Sequence, residues 1–182
     1  MPKKYQDLPR YDPDRPSKLG VLLVNLGTPD SPAVGDVRRY LAQFLGDPRV
    51  IEVARPLWWL ILHGVILRIR PPRSAEAYRE VWSDQGSPLL AISRRQATAL
   101  QQELDGRLQG AVQVELAMRY GNPSIPDALA RLREGNAQRV LVLTAYPQYS
   151  ATTTASVFDA VSEELRQRRW LPELRFINDY NN

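Results

Sequence analysis

Cysteine is absent from the 182-residue sequence, and His63 is the only histidine. The first absence excludes disulfides, cysteine-ligated zinc, iron–sulfur ligation and thiol nucleophiles; the second excludes any chemistry that needs a histidine pair. No apolar run approaches the ~20 residues that a membrane-spanning helix requires. Helix-turn-helix, zinc-finger and RRM signatures are also lacking, so no nucleic-acid partner is expected. Residues 1–18 are polar and broken by proline, without the apolar stretch of a secretory signal, and read as a flexible arm on a cytoplasmic protein. What remains is a chain with 43% apolar residues, enough to build one packed core.

The net charge of +4 is local. Residues 49–73 hold Arg49, Arg55, Arg68, Arg70 and Arg73 against Glu52 alone, which leaves the rest of the chain close to neutral. A concentrated positive patch suits phosphates, carboxylates or anionic lipid. The same region contains the most apolar stretch, 51–69 (IEVARPLWWLILHGVILRI), with Trp58 and Trp59 at its heart. Two readings stay open for it: a helix buried on all sides, or an exposed lip at a membrane interface or pocket mouth.

Residues 19–26 (LGVLLVNL) form a continuous apolar run, the pattern of a strand covered on both faces. Gly27-Thr28-Pro29 breaks it, and Asp30-Ser31-Pro32 reads as the cap of a helix carrying Val34, Val37, Leu41, Phe44 and Leu45. Strand-like runs recur at 112–118, 139–145 and 174–177, with helical stretches at 89–108, 124–133 and 154–168. Strands alternating with helices predict an α/β fold: a parallel sheet with helices on both faces. Ligands of such sheets sit beyond the carboxyl ends of the strands, which singles out the loops after Leu26, Met118 and Ala145. Arg119, Tyr120, Tyr146 and Tyr149 there offer a fixed cation, phenol donors and flat faces, a set that suits a large planar ligand with anionic substituents. Arg70-Pro71-Pro72-Arg73, Tyr78 and Ser87 form a second cluster, either a carboxylate grip on a stiffened approach or a solvated linker followed by a helix cap at Ser87.

The motifs VNLGTPDSP (24–32), Arg70-Pro71-Pro72-Arg73 with Ala75-Glu76-Ala77-Tyr78, Gly86-Ser87-Pro88-Leu89, Met118-Arg119-Tyr120-Gly121-Asn122-Pro123 and TAYPQYSATTT (144–154) occur in this order. Together they resemble the ferrochelatases, which insert Fe²⁺ into a porphyrin at the end of haem synthesis. The resemblance covers about residues 18–180 and implies residues 19–182 to be the N-terminal one of two α/β lobes, with 51–69 as an active-site lip that also touches the membrane. It implies protoporphyrin IX and Fe²⁺ as substrates, porphyrin contacts at Leu26, Arg70, Tyr78, Ser87, Arg119 and Tyr120, and Tyr146 and Ser150 near the cleft. Leu26 stands where coproporphyrin-using relatives tend to carry Tyr. Ala151 stands where some members have an iron–sulfur ligand, so no cluster or other cofactor is expected.

The family's metal-site histidine, in a Ser-x-His-x-x-Pro type motif, and its acidic partner belong to the second half of a chain nearly twice this length. Neither motif occurs here, and His63 does not match it, so no catalytic or metal-ligating residue is assigned. The expectation is the N-terminal half of a ferrochelatase, a lyase by family, inactive by itself and peripheral at the inner membrane. The alternatives are a non-catalytic porphyrin- or haem-binding module and a chelatase for another tetrapyrrole or metal.

Overall fold

In the computed structural model, which describes residues 14–108 and 111–181, the strand-like runs assemble into one sheet. β1 (Lys18–Thr28) lies between β2 (Val112–Gly121) and β3 (Ala137–Thr144), and β4 (Glu173–Ile177) follows at the edge, giving the order β2-β1-β3-β4. Every neighbouring pair is parallel. Val21, Leu22, Leu23 and Val24 are buried in succession because both sides of β1 are covered, as the unbroken apolar run implies. The helices α5 (Ile125–Glu134) and α6 (Ser156–Arg166) cover one face, over Leu22, Val24, Val140 and Val142. Helix α4 (Pro88–Leu108) covers Leu23, Leu116 and Met118 on the other. The α/β architecture with helices on both faces is therefore present, as one lobe.

A third cluster gathers around Tyr120, near the carboxyl end of β2. It joins Val37, Tyr40, Leu41 and Leu45 of α1 (Val34–Gly46) to Leu62, Leu67 and Ala75 of a long helical segment. That segment runs through α2 (Arg55–Ile61), a π turn (Leu62–Ile66) and α3 (Leu67–Val81). Leu57, Trp59, Leu60, Val65 and Ile69 on it are each more than half exposed, while Leu62 and Leu67 are buried. Trp58 turns inward and its Nε1 donates to the Leu45 carbonyl at 2.7 Å. The segment is two-faced, so the exposed-lip reading describes its outer side and the buried reading its inner side. No helix among the described residues is long and apolar enough to cross a membrane.

Several local expectations change. Asp30-Ser31-Pro32 does not cap α1, which begins at Val34; Ser31 Oγ instead accepts from Ala33 N at 3.1 Å and donates to Asp36 at 2.6 Å, stabilising the bend before the helix. The stretch 154–168 is not one α-helix, because a π turn (Ala151–Ala155) leads into α6. Of the arm 1–18, residues 1–13 lie outside the described residues, and the backbone carbonyls of Arg15 and Pro16 are held by Asn136 Nδ2 at 2.8 and 3.2 Å.

The Pro71–Pro72 pair is neither linker nor stiffened approach: it lies inside α3. Proline has no N–H, so Pro71 leaves the Leu67 carbonyl, four residues earlier, without its helical donor. Arg38 Nε of α1 supplies one at 3.0 Å. A cross-helix hydrogen bond thus replaces the missing rung and ties α1 to α3. Replacing Arg38→Ala should lower stability by about 1 kcal/mol, a fall of about 2–4 °C in Tm for a chain of this size. A thermal melt followed by circular dichroism checks this; an unchanged Tm would show that the carbonyl needs no such donor.

Candidate functional site

The strand order reverses between β1 and β3, and in doubly wound sheets the ligand crevice lies beyond the carboxyl ends at that point. The ends of β1 and β2 approach closely there. Gly27 and Gly121 both have positive φ, +113° and +83°; a Cβ on Gly27 would stand 1.8 Å from the Tyr120 carbonyl oxygen, and one on Gly121 2.4 Å from that of Thr28. Only glycine permits this approach.

Above these ends a chain of aromatic contacts links α3 to β2. Tyr78 meets Trp82 and Tyr40 edge-on, with ring centroids 6.1 and 6.4 Å apart. Tyr40 stacks on Phe44 at 6.1 Å, and Phe44 meets Tyr120 edge-on at 5.3 Å. Leu26 packs in the same cluster, half-buried. Burial raises the ionisation of Tyr40, Tyr78 and Tyr146 above the ordinary phenol range and pushes Tyr120 up to about 12. At neutral pH these groups are therefore uncharged O–H groups rather than bases. Arg70 lies on α3 eight residues before Tyr78, about 12 Å along the axis. It is exposed and pairs with no carboxylate among the described residues.

Arg119, expected as a fixed cation, is held by a carboxylate of this chain. Its Nη2 donates to Asp47 Oδ2 at 2.6 Å, and its Nε donates to Ser156 O and Oγ at 2.9 and 2.6 Å. Asp47 ends α1 and Ser156 opens α6. Tyr120 Oη also donates to Asp47 Oδ2, at 2.7 Å, and lies 3.1 Å from Ser156 Oγ. An open cavity of about 610 Å³ between α1, α5 and α6 is bordered by Gln43, Asp47, Arg119, Tyr120 and Asp159. Asp159 on its rim pairs with Arg49 at 2.7 Å. Among the described residues no group of three or more histidine, aspartate and glutamate side chains could hold a metal ion.

The structure thus brings Leu26, Tyr78 and Tyr120 into one cluster, with Arg119 beside Tyr120 and Arg70 on the helix that carries Tyr78. Tyr146 packs against the core under α5 and α6, within electrostatic reach of Tyr120 and Arg119, its hydroxyl buried without a hydrogen-bond partner among the described residues. Ser87 is buried and caps α4, its Oγ accepting from Leu90 N at 3.2 Å. Ser150 opens the π turn before α6, its carbonyl accepting from Thr153 N and Ala155 N. Sequence reasoning missed Asp47, Ser156 and Tyr40. An Asp after a helix-ending Gly reads as a turn, a Ser within Ala-Ser-Val reads as neutral, and Tyr40, between Arg39 and Leu41, reads as one more residue of an amphipathic helix.

A family model described as ferrochelatase matches residues 18–182. The chain is 54% identical to the ferrochelatase of Marinobacter nauticus over 178 residues, covering 98% of this chain and 48% of the relative. With the ferrochelatase of Thioalkalivibrio sulfidiphilus it shares 57% identity over 172 residues, 94% of this chain and 47% of the relative. The ferrochelatase of Nitrosococcus oceani is 52% identical over 180 residues, 99% of this chain and 48% of that one. The chain spans about half the length of these curated relatives and corresponds to their N-terminal part.

Burial would raise the Asp47 pKa, but hydrogen bonds from Ser156, Tyr120 and the Arg49 backbone, with the Arg119 charge, outweigh it and hold the carboxyl below its ordinary value. A depressed folded-state pKa means that this stabilisation is present above the unfolded pKa of about 4 and is lost as pH falls through the folded value. Asp47→Asn should cost about 3 kcal/mol at pH 7. In denaturant unfolding the gap between variant and wild type should narrow as pH falls below about 4; a gap that stays constant down to pH 2 would contradict the network.

Proposed function

The chain belongs to the ferrochelatase family, and we propose that it supplies one wall of the porphyrin cleft in an enzyme that inserts Fe²⁺ into protoporphyrin IX to form haem. The observation that carries this reading is the single cluster of Leu26, Tyr78 and Tyr120 beyond the strand ends, with Arg70 exposed on the same helix as Tyr78 and without a carboxylate partner among the described residues. Arg70 and Tyr78 bind the propionates of the macrocycle, and Leu26 lies against its face. Binding energy gathered at the carboxylate edge holds the ring where it can be bent, and bending turns the pyrrole nitrogen lone pairs toward an incoming metal.

Metallation also releases two pyrrole protons, which need a base with a pKa near the working pH. The phenols around the seat are held neutral by burial. The Asp47 carboxylate is already occupied by Arg119, Tyr120 and Ser156. The 182 residues therefore seat the porphyrin and leave proton acceptance and metal delivery to groups outside them. With no cysteine, and with Ala151 at the start of the second π turn, the chain has no thiolate to offer an iron–sulfur cluster.

The exposed face of 55–69 lies beside Arg68, Arg70 and Arg73, which are exposed and without carboxylate partners among the described residues. An apolar stripe bordered by arginines suits peripheral contact with an anionic bilayer surface, at the cytoplasmic side of the inner membrane.

Three experiments test these readings. Titration of protoporphyrin IX into the purified chain should shift the Soret band. The double variant Arg70→Ala/Tyr78→Phe should weaken that binding at least about tenfold, as loss of a charge-assisted contact predicts. Metallation by the chain alone should not exceed the rate in buffer; absence of a Soret shift would remove the seat, and rapid turnover would show a base within these residues. In co-sedimentation with phosphatidylglycerol vesicles, Trp59→Asp/Leu60→Asp should leave most of the chain in the supernatant. Equal pelleting of variant and wild type would rule out the lip as the contact.

A further inference from the structure

Asp47 is a buried charge that no motif announced. Its side chain is 3% exposed and its Oδ2 is surrounded by three donors, Arg119 Nη2, Tyr120 Oη and Ser156 Oγ, at 2.6, 2.7 and 2.6 Å. The Arg49 backbone N–H fills Oδ1 at 2.7 Å. Arg119 remains one-fifth exposed, borders the open cavity and lies 4.5 Å over the Tyr120 ring. Its charge thus reaches the cavity wall already balanced by a carboxylate. Arg68, Arg70 and Arg73 on α3 are exposed and have no carboxylate partners among the described residues.

We propose that Asp47 is a positioning residue that sets carboxylate specificity: by masking Arg119 it makes the strand-end wall neutral, so that the seat accepts a porphyrin with both carboxylates on one edge and disfavours one with carboxylates on all sides. This inference rests on the porphyrin reading above. A carboxylate turned toward α3 finds a cation, whereas one turned toward β2 would lose its water against an ion pair whose charges cancel. Asp47 does not touch the ligand; it acts through Arg119 and Tyr120.

The two sides of the ion pair make opposite predictions. Binding of protoporphyrin IX, with two carboxylates, and of coproporphyrin III, with four, is followed by Soret titration on the 182-residue chain. Wild type should favour the two-carboxylate ring at least about tenfold, one uncompensated polar burial. Asp47→Asn frees the Arg119 cation and should shrink that ratio several-fold, whereas Arg119→Gln bares a carboxylate and should enlarge it. Asp47→Asn/Arg119→Gln should return it to the wild-type value. If both single variants weaken the two porphyrins equally, the network is structural only and the proposal falls. Should Asp47→Asn not fold, Arg119→Gln alone decides, since an unchanged ratio there overturns the masking.

A porphyrin-free measurement separates this inference from the function on which it rests. Tyr120 ionises at about 12, raised by burial and by the Asp47 carboxylate and lowered by Ser156 and Arg119. Asp47→Asn removes the carboxylate and keeps the cation, so the ultraviolet phenolate signal assigned by comparison with Tyr120→Phe should appear at lower pH. If the wild-type chain binds neither porphyrin, the functional reading fails while this titration still judges whether Asp47 governs the pair. An unmoved Tyr120 titration overturns the positioning role whatever the porphyrins do.

Discussion

The Asp47 carboxylate joins three elements that are remote in sequence: the end of α1, the strand end at Arg119 and Tyr120, and Ser156 at the start of α6. Burying a carboxylate is costly unless donors and an opposite charge surround it, and here four donors do so. The geometry of the strand-end loops follows from that constraint. Tyr120 is fixed by its hydroxyl at one side and by the Phe44 ring at the other. The aromatic chain from Tyr120 to Tyr78 then locates α3, and with it Arg70, relative to the sheet.

The long segment 55–81 serves two environments. Its inner side contributes Leu62, Leu67 and Ala75 to the core, and Trp58 spends its indole N–H on the Leu45 carbonyl. Its outer side keeps Leu57, Trp59, Leu60, Val65 and Ile69 exposed. A proline pair within such a helix would ordinarily weaken it. Arg38 offsets one lost rung from α1, so the segment stays helical up to Tyr78 and holds Arg70 at a fixed distance from it.

Charge is divided between the two sides of the strand-end cluster. Arginines on α3 are exposed and without carboxylate partners among the described residues, whereas Arg119 is masked by Asp47 and Arg49 is paired with Asp159. One side is therefore cationic and the other neutral or aromatic. On the neutral side the Asp47 carboxylate is bound by three side-chain donors and burial keeps the phenols protonated.

The parallel sheet was legible from the letters because a continuous apolar run such as Val21–Val24 needs cover on both faces, and the strand-end loops followed from that topology. The start of α5 was legible too: the helical stretch 124–133 opens at Ser124, whose Oγ accepts from Asp127 N at 3.2 Å. Hydrophobic patterning and local hydrogen bonding act over a few residues, so the sequence by itself determined the elements and their alternation, and left the two sides of 55–69 to the structure. Tertiary structure alone decided that Arg119 is masked and that Pro71 and Pro72 sit inside a helix. Each of those outcomes depends on a partner supplied by distant chain or by three-dimensional spacing: Asp47 lies 72 residues from Arg119 and Arg38 lies 29 from Leu67. A charge or an unfilled carbonyl is satisfied by whatever folding brings within about 3 Å of it, and only the assembled sheet and helices fix what that is.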